Sequence, residues 1–113
     1  MLPARNRMRQ SSDFAATIRR GSRGSSQRLV VHVDLTKESP LVGFVVSKAV
    51  GNSVVRHRVS RKLRHIVRDL LGTQAIGHLV VRALPAAADS SSDELRKDLM
   101  AALARAERKG VRA

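Results

Sequence analysis

An α+β sandwich, with helices packed on a small sheet, is the fold class that this chain of 113 residues predicts. Three observations predict it. Residues 29–35 alternate apolar and polar, which is the period of a half-buried strand. Val55, Val59, Leu63, Ile66, Val67 and Leu70 recur instead at the period of an amphipathic helix. Helix-like and strand-like segments then interleave in the order α-β-β-α-β-α. The length suits a single domain over residues 1–113 with one modest core.

Residues 1–10 carry Arg5, Arg7 and Arg9 without an acid or a period, and read as a flexible basic arm. Ser11 or Ser12 caps a first short helix, Asp13 complements its N-terminus, and Gly21 ends it. Phe14 and Ile18 share one face of that helix. Residues 21–27, GSRGSSQ, read as a flexible connector. In the first strand Leu29, Val31, Val33 and Leu35 point one way, and Val30, His32 and Asp34 the other. Residues 36–40 read as a hairpin connection to a second strand at 41–47, which implies antiparallel pairing of the two.

Gly51 and Asn52 break the strand pattern, and Asn52 or Ser53 caps the second helix, which Gly72 closes. Residues 77–84 form a third strand stopped by Pro85. Ser91 and Glu94 have the spacing of a capping box for a last helix, whose stripe is Leu95, Leu99, Ala102, Leu103 and Ala106. Residues 109–113 read as a basic, frayed tail.

Charge is the strongest functional signal. The chain has 22 Lys+Arg against 9 Asp+Glu, a net charge of +13. Solubility alone asks for a magnitude of about 2–8 in a small domain. The second helix concentrates the excess: Arg56, Arg58, Arg61, Lys62, Arg64 and Arg68, with His57 and His65, precede its first acid at Asp69. On the helical wheel His57, Arg58, Arg61, Arg64, His65 and Arg68 lie opposite the apolar stripe, while Arg56 is nearer its flank. A helix that was merely solvated would intersperse Glu for pairs one turn apart. The Arg-rich face is suited to polyanions, because each guanidinium forks onto two phosphate oxygens and stacks on bases. Nucleic acid is the natural partner.

The same inventory excludes much else. There is no cysteine, hence no disulfide, thiolate metal site or cysteine nucleophile. No apolar run reaches the ~20 residues that span a bilayer, and no secretory core follows the basic start, so a cytoplasmic protein without membrane contact is expected. His57 and His65 are about 12 Å apart along the helix and cannot share one metal. The acids form no paired constellation for two-metal chemistry, and no G-x-S-x-G elbow occurs. Neither a catalytic residue nor a protein-borne metal site is therefore expected. Aromatic platforms are scarce as well, with two Phe and neither Trp nor Tyr. Phe44 reads as core. His32, on the polar face of its strand, is free to support an unpaired base.

Residues 47–64, SKAVGNSVVRHRVSRKLR, closely resemble the signature of the bacterial ribonuclease P protein subunit, S-K-[KR]-[VI]-G-N-A-V-x-R-N-R-x-K-R-x-[LI]-R. The opening R-x-R-x-R-x-S-x-D-F and the run LVVRALP at 79–85 are similar to that family too. The resemblance implies a ribosomal-protein-like two-layer sandwich with a mixed sheet and a left-handed β-α-β crossover. It implies an accessory subunit of an endoribonuclease that removes the 5′ leader of precursor tRNA. The catalytic RNA carries the hydrolysis and, with the substrate, holds Mg2+. The protein, as a monomer, contacts that RNA and the leader.

Carried over by position, Arg56, Arg58, Arg61 and Arg64 match the basic positions of the signature helix, and Lys48 and Asn52 match its start. His57, Lys62 and Arg68 complete the implied RNA-binding set. Phe14, Ile18 and His32 match the cleft for the leader, with Arg82 one residue displaced from the usual Arg. His57 stands where the signature has Asn, and Ser60 where it commonly has Lys. The competing readings are a structural ribosomal or general RNA-binding protein, against which the long signature argues, and an autonomous nuclease, against which the scattered acids argue.

Overall fold

The computed structural model describes residues 3–72 and 77–112, the side chains of residues 110–112 excepted. Its elements are α1 (Ser11–Arg20), β1 (Ser22–Ser25), β2 (Leu29–Asp34), β3 (Leu41–Val45), α2 (Ser53–Leu71), β4 (His78–Ala83) and α3 (Ser92–Arg112), with 3-10 turns at Ala4–Asn6 and Pro85–Ala87. The α+β class, the three helices and their order agree with the sequence reading. The strand pairing and the strand count do not.

The sheet runs β1-β2-β4-β3. β4 is antiparallel to β2 and parallel to β3. The expected hairpin between residues 29–35 and 41–47 therefore does not form, because β4 lies between those strands. The reason is burial. Leu79, Val80 and Val81 are each 0% exposed, so successive side chains of β4 are covered on both faces. A strand so apolar on both sides belongs at the centre of a sheet. The weaker strands, SRGS and LVGFV, take the edges. α2 connects β3 to β4 and makes the β-α-β crossover that the family resemblance implied.

β1 is the strand missing from the sequence reading, which took residues 21–27 for a connector. Polar and glycine-rich, it has no apolar alternation to reveal it. It is held by its surroundings: all four of its residues pair with β2, from Ser22 opposite Val33 to Ser25 opposite Val30. The turn that follows is clasped to α3. The Asp98 carboxylate accepts from the Ser26 hydroxyl (3.1 Å) and the Arg28 N–H (2.8 Å), and the Arg28 guanidinium pairs with Asp98 and Glu94. At Gly24 the sheet touches the backbone of α3 directly. A Cβ there would overlap the Ala102 carbonyl and come within 2.7 Å of the Ala106 nitrogen.

α2 and α3 bury their stripes against one face of the sheet. Val59, Leu63, Ile66, Val67, Leu95, Leu99 and Ala102 meet Leu29, Val31, Val33, Val42, Leu79 and Val81 in one cluster. α1 covers part of the other face, where a side chain at Gly43 would strike the Phe14 ring. Two of the three N-capping expectations hold; the exception is α1, where Ser11 is already the first helical residue, Gln10 precedes it and no side chain makes a cap bond. Asn52 Oδ1 accepts from the Val55 N–H at 3.0 Å, and Ser91 and Glu94 exchange reciprocal bonds of 2.9 and 3.1 Å. The terminal segments are more regular than expected. Met8 is buried and its N–H donates to the Val42 carbonyl (2.7 Å), with Arg7 bridged to Val42 in parallel, so residues 7 and 8 lie along β3. α3 continues through Arg112. The parts of the expected arm and tail at positions 1, 2 and 113, and the side chains of 110–112, lie outside the described residues.

The contact at Gly24 yields a paired test. Gly24→Ala is expected to destabilise the fold by about 2 kcal/mol, since neither backbone can yield locally. At Gly72 an added Cβ meets only the Asp69 carbonyl at 3.7 Å, and Gly72→Ala is expected to be neutral or slightly stabilising. Urea unfolding of the two variants measures the difference; equal stabilities would contradict the close approach.

Candidate nucleic-acid interface

Packing the α2 stripe against the sheet fixes where its cations go. Val59, Leu63, Ile66 and Val67 are at most 1% exposed, so the opposite side of the helix faces outward. His57, Arg58, Arg61, His65 and Arg68 are exposed there. A shallow hollow of about 430 Å³ is lined by Ser53, Val54, His57, Arg58 and Arg61. Val54 is 66% exposed in the middle of these charges, an apolar side chain that the sequence reading did not single out.

The remaining α2 residues have more specific positions. Arg64 is half-buried, with Nε directed to the Ser60 carbonyl at 3.4 Å. Lys62 points away from the outward face and donates to the Ser90 carbonyl at 2.9 Å, tying α2 to the turn before α3. Arg56 lies on the flank, as the helical wheel implied, and its Nε is buried without a partner. A buried charged donor left unpaired is costly, and an incoming phosphate oxygen would relieve it. Arg68 pairs loosely with Asp69 at 3.8 Å. Asn52 is occupied as the helix cap, and Lys48 is exposed in the turn before it.

A second hollow, about 350 Å³, continues from the first around the β3 edge. Arg7, Phe14, Phe44, His57, Ser60 and Arg64 are among its lining residues. His57 lines both hollows and joins them. A third, about 370 Å³, brings together Ile18, His32 and Arg82 of the expected leader cleft, with Arg23, Ser47 and Pro85. Phe14 is not in this group, although it is one helical turn from Ile18. Arg23 is the residue missed here. It comes from β1, directly opposite His32 in the ladder, and no sequence pattern marks β1 as a strand.

His32 has an unusual environment. Its Nδ1 is buried without a hydrogen-bond partner. Burial, then the nearby Arg23 and Arg82, hold its imidazole below the usual histidine range, so the neutral ring is favoured. Four of the nine acids are engaged within the chain. Asp98 and Glu94 pair with Arg28, Asp69 pairs with Arg96 at 3.0 Å, and Asp34 accepts from Thr36. Among the described residues no three His, Asp or Glu side chains converge as metal ligands, and no helix is long and apolar enough to cross a membrane.

Comparison with known proteins identifies the pattern. The family model described as Ribonuclease P matches residues 2–107. The ribonuclease P protein component of Mycobacterium sp. (strain KMS) is 50% identical over 110 residues, covering 94% of this chain and 93% of that protein. That of Corynebacterium diphtheriae is 48% identical over 118 residues, covering 96% and 99%. Among solved structures, the RNase P protein from Staphylococcus aureus superposes with a TM-score of 0.79 at 23% identity, covering 94% of this chain and 92% of that one. The protein from Thermotoga maritima gives 0.72 at 23% identity, covering 85% and 93%. These two likenesses concern the fold.

The His32 environment has a measurable sign. Because the folded state disfavours its protonation, its contribution to stability is intact above the ordinary histidine pKa of about 6.5 and is lost as pH falls through the depressed value. NMR titration is expected to find this imidazole below the ordinary range. Arg23→Gln is expected to raise it only partly, since burial is the larger cause. An ordinary value in the parent protein would contradict the enclosed site.

Proposed function

The chain belongs to the ribonuclease P protein family, and from that membership we propose that it binds the catalytic RNA of ribonuclease P and the 5′ leader of precursor tRNA, assisting Mg2+-dependent removal of the leader. The observation that carries this reading is the joined surface from Arg58 and Arg61, through His57, to Arg64 and Phe14, in which no acid intervenes. Such a face neutralises phosphates on a folded RNA and releases their counterions. Arg58 and Arg61 are free to fork onto phosphate oxygens, Val54 gives an apolar contact between them, and Arg56 offers its unpaired Nε. Lys62 contributes differently, by bracing α2 against the turn at Ser90.

The hollow on the other side of α1 suits an unpaired strand. Arg23 and Arg82 are spaced to hold phosphates beside the Ile18 side chain and the His32 ring. A neutral imidazole stacks on a base and keeps one nitrogen free to accept. Every base has a flat face, so this contact tolerates many leader sequences. The hydrolytic chemistry belongs to Mg2+ ions held by the RNA and substrate. Several carboxylates of this chain are already spent on Arg28 and Arg96, which supports a positioning rather than a metal-binding role. The protein acts in the cytoplasm as a monomer within the ribonucleoprotein.

Reconstitution tests the proposal. The protein alone is expected to leave precursor tRNA intact, and with the cognate RNA at low Mg2+ to accelerate cutting strongly. The double variant Arg58→Ala/Arg61→Ala is expected to stay folded while log K for the RNA becomes less steep in log salt by about 1–2 units, near 0.7–0.9 per lost phosphate contact. An unchanged slope, or full activity without RNA, would refute it.

A further inference from the structure

We propose that the C-terminal half of α3 carries a second RNA surface, which grips a segment of the catalytic RNA separate from the one on α2. Arg105, Arg108 and Lys109 stand three and four residues apart, so their side chains share one face of the helix. With Gly24 and Ser25 they line an open hollow of about 270 Å³ against the β1 edge. Arg105 is oriented there, its Nη1 donating to the Ser25 carbonyl. Arg108 is steadied by a 3.4 Å contact of Nε with the Ala104 carbonyl. Gly24 adds no side chain to the floor of the hollow.

The two halves of α3 differ in charge. Glu94 and Asp98 in the first half pair with Arg28. Among the described residues, none of Arg105, Arg108 and Lys109 has an acidic partner. Cations at a helix C-terminus complement its dipole, but that effect is confined to about the last turn. Arg105 lies well before the end at Arg112 and is turned toward the sheet.

Position argues for a separate segment. This hollow borders β1, one edge of the sheet, whereas the α2 surface borders β3, the other edge. Three strand spacings of about 4.8 Å separate those edges. Two anchored guanidiniums and an ammonium, in a hollow that no acid lines although Glu107 is their neighbour in sequence, select phosphate. Given the reading of this protein as an RNA subunit, on which this inference rests, the phosphates of that same RNA are the partner within reach.

The chain has no cysteine, so a single introduced one carries a photo-crosslinker uniquely. Ala104→Cys beside the α3 surface and Val54→Cys on α2 are compared in complex with the cognate catalytic RNA. The expected result is adducts on two distinct nucleotide segments. No adduct from position 104, or the same nucleotides from both, overturns the inference. Independently, Arg108→Ala/Lys109→Ala, whose side chains are exposed, is expected to flatten the salt dependence by about 1–2 units and to add to the effect of Arg58→Ala/Arg61→Ala. The Arg108→Lys variant is expected to retain the slope. A parent-like slope for the double α3 variant, or loss only of binding to phosphatidylglycerol vesicles, overturns the inference. A parent-like slope for the α2 variant alone counts instead against the proposed function.

Discussion

The burial of β4 on both faces is the constraint from which the rest of this molecule follows. A run of Leu79, Val80 and Val81 with no polar side to offer must lie between other strands and under helices on either surface. That demand separates β2 from β3 and makes α2 the long return path between parallel neighbours. Once α2 has this route, its apolar stripe is committed to the sheet. Its guanidinium side has nowhere to point but outward. The binding face is thus a by-product of where the core puts the helix, and the outward side was free to become cationic.

Much of this was legible in residues. The α2 stripe, the Asn52 cap, the Ser91–Glu94 box and the alternation of β2 each follow a local period or a local hydrogen bond. The antiparallel hairpin was the wrong inference, because adjacency in sequence was taken for adjacency in space. The information that overrules it, the two-sided apolarity of residues 79–81, lies nearly forty residues further on. β1 was invisible for another reason. Its stability comes from the Asp98 clasp and from a close approach that only glycine permits, and neither leaves a periodic trace in SRGS. With β1 went Arg23, and with Arg23 half of the electrostatic surroundings of His32.

The cations also divide in a way that counting charge cannot reveal. Arg28, Arg96 and Lys62 are structural: they tie a turn, a helix pair and a loop to their neighbours. Arg58 and Arg61 are exposed, and no acid lines the hollow beside them. Exposed ion pairs add little to stability, so the partly buried Arg28–Asp98 pair, which also holds backbone, matters more to the fold than Arg68–Asp69. The family resemblance put Lys62 with the RNA-binding cations, whereas in the fold its ammonium is directed to the Ser90 carbonyl.

The seating of residues 7 and 8 along β3 has a practical side. An edge strand with open N–H and C=O groups is a template onto which another molecule can add. Here the bridge at Arg7 and the bond from the Met8 N–H cover part of that edge, and the Met8 side chain is packed inside. Trimming the first ten residues as a dispensable tail would therefore uncover an aggregation-prone rim and an apolar socket together. What resembles a loose leader in the sequence serves the folded chain as its hem.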